Sequence, residues 1–72
     1  MNIEEIDDIM YDAVKHGELV SVVLKTGEKL RGLANYYSGC DDTESGYSEF
    51  VVDSGDKLTL VGAEEIEDIE IL

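Results

Sequence analysis

Between Leu19 and Tyr37 the chain reads LVSVVLKTGEKLRGLANYY, two strand-like runs around a Thr26-Gly27 turn with Gly32 inside the second run. Val20, Val22 and Leu24 alternate with Ser21, Val23 and Lys25, the period of two of a strand with one buried face. A glycine within a strand removes the side chain where the strand must kink or where another backbone must approach closely. The segment therefore predicts the strongly bent opening hairpin of a small barrel.

A chain of 72 residues has room for one domain, residues 1–72. At that size only about 60% of the unfolded surface is buried, so the core is near the lower limit for folding unassisted. Five Lys and Arg stand against eighteen Asp and Glu, a net charge of −13. Such a field repels phosphates and attracts basic surfaces, which weighs against direct nucleic-acid binding. At 43% hydrophobic residues the composition is nonetheless that of a folded domain and not of a disordered acidic tail. Cys40 is the sole cysteine, which rules out an intramolecular disulfide and gives no thiolate zinc site. The start, MNIEEIDDIM, lacks the basic and apolar regions of a secretion signal, and no apolar run approaches the ~20 residues needed to cross a bilayer. These features predict a soluble cytoplasmic protein with no membrane association.

Residues 3–16 predict an amphipathic helix, since Ile3, Ile6, Ile9, Met10, Ala13 and Val14 recur at spacings of three and four. Asn2 can cap its first turn with Glu5 three residues on, acids crowd its N-terminal half, Lys15 and His16 fall in its last turn, and Gly17 follows. Strands are expected over Leu19 to Lys25, Lys29 to Tyr37, Ser48 to Asp53, Lys57 to Val61 and Ile66 to Leu72. Thr26-Gly27 and Ser54-Gly55-Asp56 supply short hairpin turns, whereas SGCDDTESGY, Ser38 to Tyr47, is the expected mobile loop. Val61 to Glu65 suggests one helical turn before a last strand in which Ile69 and Ile71 alternate with Asp68 and Glu70. The expected core comprises Ile6, Ile9, Met10, Ala13, Val20, Val22, Leu24, Leu58, Leu60, Ile69 and Ile71. The fold class is thus mainly β, a five-stranded antiparallel barrel, about 19–72, with an N-terminal α-helix.

The residues now carry a resemblance. VSVVLKTGEKLRGL, Val20 to Leu33, resembles the first Sm motif of Sm-like domains within the SH3-like barrel superfamily, and LVGAEEIEDIEIL resembles their closing strands. Within that superfamily the chain looks most like the Rof family, acidic inhibitors of Rho-dependent transcription termination. The shared features are the leading acidic helix, LKTGEKLRGLAN at Leu24 to Asn35, and the Glu49-Phe50-Val51-Val52 strand. Rof proteins tend to carry a Pro- and Cys-containing lead-in, absent here, and Cys40 lies in a loop instead. The resemblance implies a Rho-like or other RNA-binding protein as partner and a role in transcription regulation.

Sm-like rings hold bases with an Asp and Asn after the second strand and a basic residue beside a Gly before the last. Here only Gly62 matches, with Leu60 and Val61 where the cation would stand. An alternative RNA site comprises Lys25, Lys29 and Arg31 on the first hairpin, with Tyr36 and Tyr37 as stacking candidates. Cross-strand pairing of these cations with carboxylates, and strand alternation that turns at least one Tyr inward, are the competing structural roles. The loop from Asp41 offers oxygen ligands at alternating positions, but Val52 occupies the twelfth position where a calcium loop needs a bidentate Glu. His16 is expected to serve the helix C-terminus, and Cys40, beside Asp41 and Asp42, is poorly placed to act as a nucleophile. Neither a catalytic constellation nor a cofactor motif is present, so the chain is expected not to be an enzyme.

The carboxylates remain as the positive signal. Glu4, Glu5, Asp8 and Asp12 on the helix, and Glu64, Glu65 and Glu67 near the C-terminus, are the candidate partner-binding residues. A net charge of about 2 to 8 in magnitude suffices to keep a small domain soluble, and the excess costs stability through self-repulsion. The sequence thus points to a non-enzymatic acidic adaptor or inhibitor that docks a basic protein surface. A homo-oligomeric RNA-binding ring and a structural module without ligand are the alternatives.

Overall fold

The computed structural model describes residues 1–72. One helix, α1 (Ile3–Lys15), precedes five strands, β1 (Leu19–Leu24), β2 (Lys29–Ser38), β3 (Glu49–Asp53), β4 (Leu58–Gly62) and β5 (Ile66–Ile71). Short 3-10 turns lie at Cys40–Asp42 and Ala63–Glu65. All strand pairs are antiparallel, in the order β4-β3-β2-β1-β5. The result is mainly β: an open five-stranded sheet with an N-terminal helix, of the small SH3-like or Sm-like barrel type.

The helix ends are set by local chemistry. The Asn2 side chain accepts a hydrogen bond from the Glu5 N–H at 2.9 Å, satisfying one of the free donors of the first turn. At the other end Gly17 takes φ 62°, its N–H donates to the Val14 carbonyl, and the Glu18 N–H donates to the Ala13 carbonyl. Those two bonds are the Schellman arrangement, which needs a residue at ease in the left-handed region.

Gly32 has a different cause. A Cβ built there would run into the main-chain carbonyl of Asp53, because the end of β3 folds tightly across β2. The close approach expected from the sequence is therefore real.

Twelve apolar side chains form the core, with Phe50 and Met10 the largest, and α1 lies over β2, β5 and the second 3-10 turn. Ile6, Met10, Ala13, Val20, Val22 and Ile69 are buried as expected, while Ile9 and Leu24 are half-buried against the cluster. Leu58 and Leu60 are corrections, being 65% and 61% exposed. Phe50 pairs with Val61 and Val52 with Thr59, so the inward phase of β4 belongs to Thr59 and Val61. Because side chains alternate with period two, a one-residue change of phase turns both leucines outward.

Ile71 is also a correction: it keeps the phase of Ile69 but sits 42% exposed at the end of an edge strand. The inward pair in β5 is instead Ile66 and Ile69, three residues apart. Val23 pairs with Asp68 and Leu24 with Ile66, leaving Glu67 as the extra residue of a β-bulge. The bulge converts an unlikely strand spacing into two adjacent core positions.

The accessible surface, 4520 Å², matches the roughly 4,400 Å² expected of a monomer of this mass. Packing predicts a sharp contrast between two substitutions. Met10→Ala should cost roughly 2–5 kcal/mol, whereas Leu60→Ala should change stability by no more than about 0.5 kcal/mol. Urea denaturation measures both, and a large loss at Leu60 would contradict the β4 phase.

Candidate functional site

The buried stripe of α1, Ile6, Met10 and Ala13, turns Glu4, Glu5, Asp8 and Asp12 to solvent. Glu4 and Glu5 lie in the first turn, where the helix dipole favours negative charge. α1 packs on the Ala63–Glu65 turn and on β5, so the two acidic groups read from the sequence belong to adjoining elements. Their members differ in availability. Glu67 is exposed on its bulge and Glu64 is half-buried. Glu65 is committed locally, since its Oε1 accepts from the Gly62 N–H at 2.8 Å and its carbonyl accepts from the Lys25 N–H at 2.9 Å. That residue caps the 3-10 turn and fastens it to β1.

A second bulge shapes the other side of the site. Asn35 pairs with Val51 and Ser38 with Glu49, so Tyr36 and Tyr37 together oppose Phe50. Tyr36 takes φ 53°, a left-handed conformation costing on the order of 1 kcal/mol for a bulky residue, and its N–H donates to the Asn35 side chain at 3.2 Å. The extra residue reverses the alternation. Tyr36 is left 68% exposed and Tyr37 turns in beneath the helix.

Tyr37 donates its hydroxyl hydrogen to Asp7 Oδ1 at 2.5 Å, and the Tyr37 hydroxyl oxygen lies 3.2 Å from the hydroxyl of buried Ser48. Its ring meets Tyr11 edge to face, with centroids 5.3 Å apart, and Lys15 Nζ lies 5.9 Å from the Tyr11 centroid. The Asp7–Tyr37–Ser48 cluster ties helix to sheet. Nothing in the period-two pattern of β2 disclosed it; the only signal was the adjacent tyrosines before a polar loop.

Where the helix start, the loop after β2 and the second 3-10 turn converge, a cleft of about 220 Å³ opens between Ile3, Glu4, Asp7, Tyr47, Ser48 and Ala63. The loop closes on itself through Thr43 Oγ1, which donates to the Tyr47 carbonyl at 2.7 Å. No group of three or more His, Cys, Asp or Glu side chains stands close enough to hold a metal ion.

The alternative RNA residues are distributed differently. Lys25, Lys29, Arg31 and Tyr36 are exposed, whereas half-buried Tyr37 is engaged by α1 through its hydroxyl bond to Asp7 and its ring contact with Tyr11. On the outer face Arg31 pairs with Ser21 and Ser21 with Glu70, while Lys29 pairs with Val23 and Val23 with Asp68. A carboxylate thus stands two strands, about 10 Å, from each cation. The acids of α1 and of the second 3-10 turn thus sit on elements that pack together, and the cations lie two strands from Glu70 and Asp68. Known protein families and curated proteins offer no match to the chain.

Burial, and then the hydrogen bond to Asp7, hold the Tyr37 phenol above its ordinary value of 10.0. A group whose folded value is raised stabilises fully below its unfolded value and loses that contribution as pH rises through the folded one. Tyr37→Phe should lose about 1–3 kcal/mol at neutral pH, since half-exposed Asp7 can rehydrate but buried Ser48 is left without its side-chain partner. The variant should also lose less stability than the parent above about pH 10. Urea titrations across that range check both statements.

Proposed function

We propose that the protein is a non-enzymatic acidic interaction module that docks a basic surface on another protein, a regulator or inhibitor in the manner of the Rof-like resemblance. One observation carries it. α1, with Glu4, Glu5, Asp8 and Asp12 exposed, packs on the Ala63–Glu65 turn and β5, the elements that carry Glu64 and Glu67. Carboxylates gathered this way in a chain of net charge −13 favour a basic partner and accelerate its encounter. The partner class that fits is a nucleic-acid-binding protein, whose phosphate-facing surface is basic by necessity.

The sheet edges favour one second reading, a homo-oligomeric Sm-like RNA binder. β4 and β5 are both edge strands, and Leu58 and Leu60 stand exposed on β4. Against it stand the engaged Tyr37 and the carboxylates beside Lys29 and Arg31.

The test begins with a native pull-down that identifies a basic partner, followed by association kinetics with that protein. Association should slow as salt rises, and the combined change Glu4→Lys, Glu5→Lys and Asp8→Lys should slow it further while leaving the fold intact, because these positions lie off the buried stripe. Single-stranded RNA should show no measurable binding at physiological salt. Tight RNA binding that disappears on mutating Lys29 and Arg31 would overturn the proposal in favour of the oligomer.

A further inference from the structure

The cleft at the start of α1 is too small for an ordinary metabolite and has the right walls for one long cationic side chain. Its volume, about 220 Å³, falls below the roughly 300–1,000 Å³ of small-molecule sites. Ile3 and Tyr47, large apolar residues left 41% and 45% exposed, flank it with Ala63, and Glu4 and Asp7 are the two acidic residues among its walls. Tyr37 engages only Oδ1 of Asp7, which leaves Oδ2 able to accept from a ligand. Two carboxylates make a poor metal site, and no larger ligand cluster is present. A long side chain with an apolar stem and a charged head meets all of these surfaces at once.

We propose that this cleft seats a single arginine of the partner, with the stem against Ile3 and Ala63, the guanidinium against the Tyr47 ring, and its donors on Glu4 and Asp7. The proposal rests on the acidic docking function above and names the anchor within it. Arginine is favoured over lysine because its planar fork bonds carboxylates in pairs and stacks on an aromatic face. The partial positive charge of the helix N-terminus, about half an elementary charge, opposes a cation there. Glu4, Glu5, Asp7 and Asp8 outweigh it in the first two turns.

The test is a titration of the ¹⁵N-labelled full chain at low salt with the blocked tripeptide acetyl-Gly-Arg-Gly-amide, monitored by amide chemical shifts. Saturable shifts are expected at Glu4, Asp7, Tyr47, Ser48 and Ala63, with much weaker responses to the lysine and citrulline analogues. Glu4→Gln and Tyr47→Ala, both at exposed positions, should each weaken binding roughly threefold to fivefold, the worth of one partly exposed contact. Equal responses to arginine and lysine, or shifts that rise without saturation, would overturn the arginine pocket. Shifts confined to Asp8, Asp12 and Glu67 would also overturn it while leaving the acidic docking face standing. A chain that responds to no cationic probe would sink both.

Discussion

Eighteen carboxylates and five cations share a body of 28 × 24 × 19 Å, so mutual repulsion of like charges acts on every element of this protein. Against it stands a core of twelve buried apolar side chains. The polar groups taken inside are correspondingly few and paired: Ser48 is the only buried polar residue, and no buried side-chain donor or acceptor is left without a partner. With so small a core, each element must present its apolar face without error. The two bulges serve that requirement.

At Glu67 the extra residue lets Ile66 and Ile69 both reach the interior, and at Tyr36 it turns Tyr37 under the helix. Each bulge also places a side chain outside, Glu67 on the acidic side and Tyr36 on the bulged strand. Packing and the placement of these exposed side chains are thus set by the same irregularities. The Asp7–Tyr37 hydrogen bond then fixes the start of α1 against β2, and the cleft beside Asp7 inherits its shape from that contact.

Much of this was legible in the chain. The helix and its glycine stop, the five strands, the close backbone approach at Gly32 and the short turn at Ala63–Glu65 all follow from local chemistry: periodicity, a capping side chain, and a glycine where no Cβ fits. The phase of β4 was not legible, because Leu58-Thr59-Leu60-Val61 carries apolar residues on both faces and only pairing with Phe50 and Val52 decides between them. The bulges were hidden for a related reason, since an unpaired residue is a property of two strands in register and not of either alone. The acidic residues were plain in the sequence. Their adjacency depends on how α1 crosses the second 3-10 turn, and the cleft needs three segments distant in the chain.

Eighteen carboxylates against five cations leave most of the acids of this protein without a cation to neutralise them. The most direct measurement is the melting temperature as sodium chloride rises from about 0.01 M to about 0.15 M, over which the Debye length falls from ~30 Å to ~8 Å. At the lower concentration it exceeds the longest dimension of the molecule, 28 Å, so all eighteen carboxylates repel one another; at the higher only near neighbours do. The melting temperature should rise clearly across that range. A flat or falling curve would mean that the carboxylates are already neutralised within the fold, and would contradict their mutual repulsion.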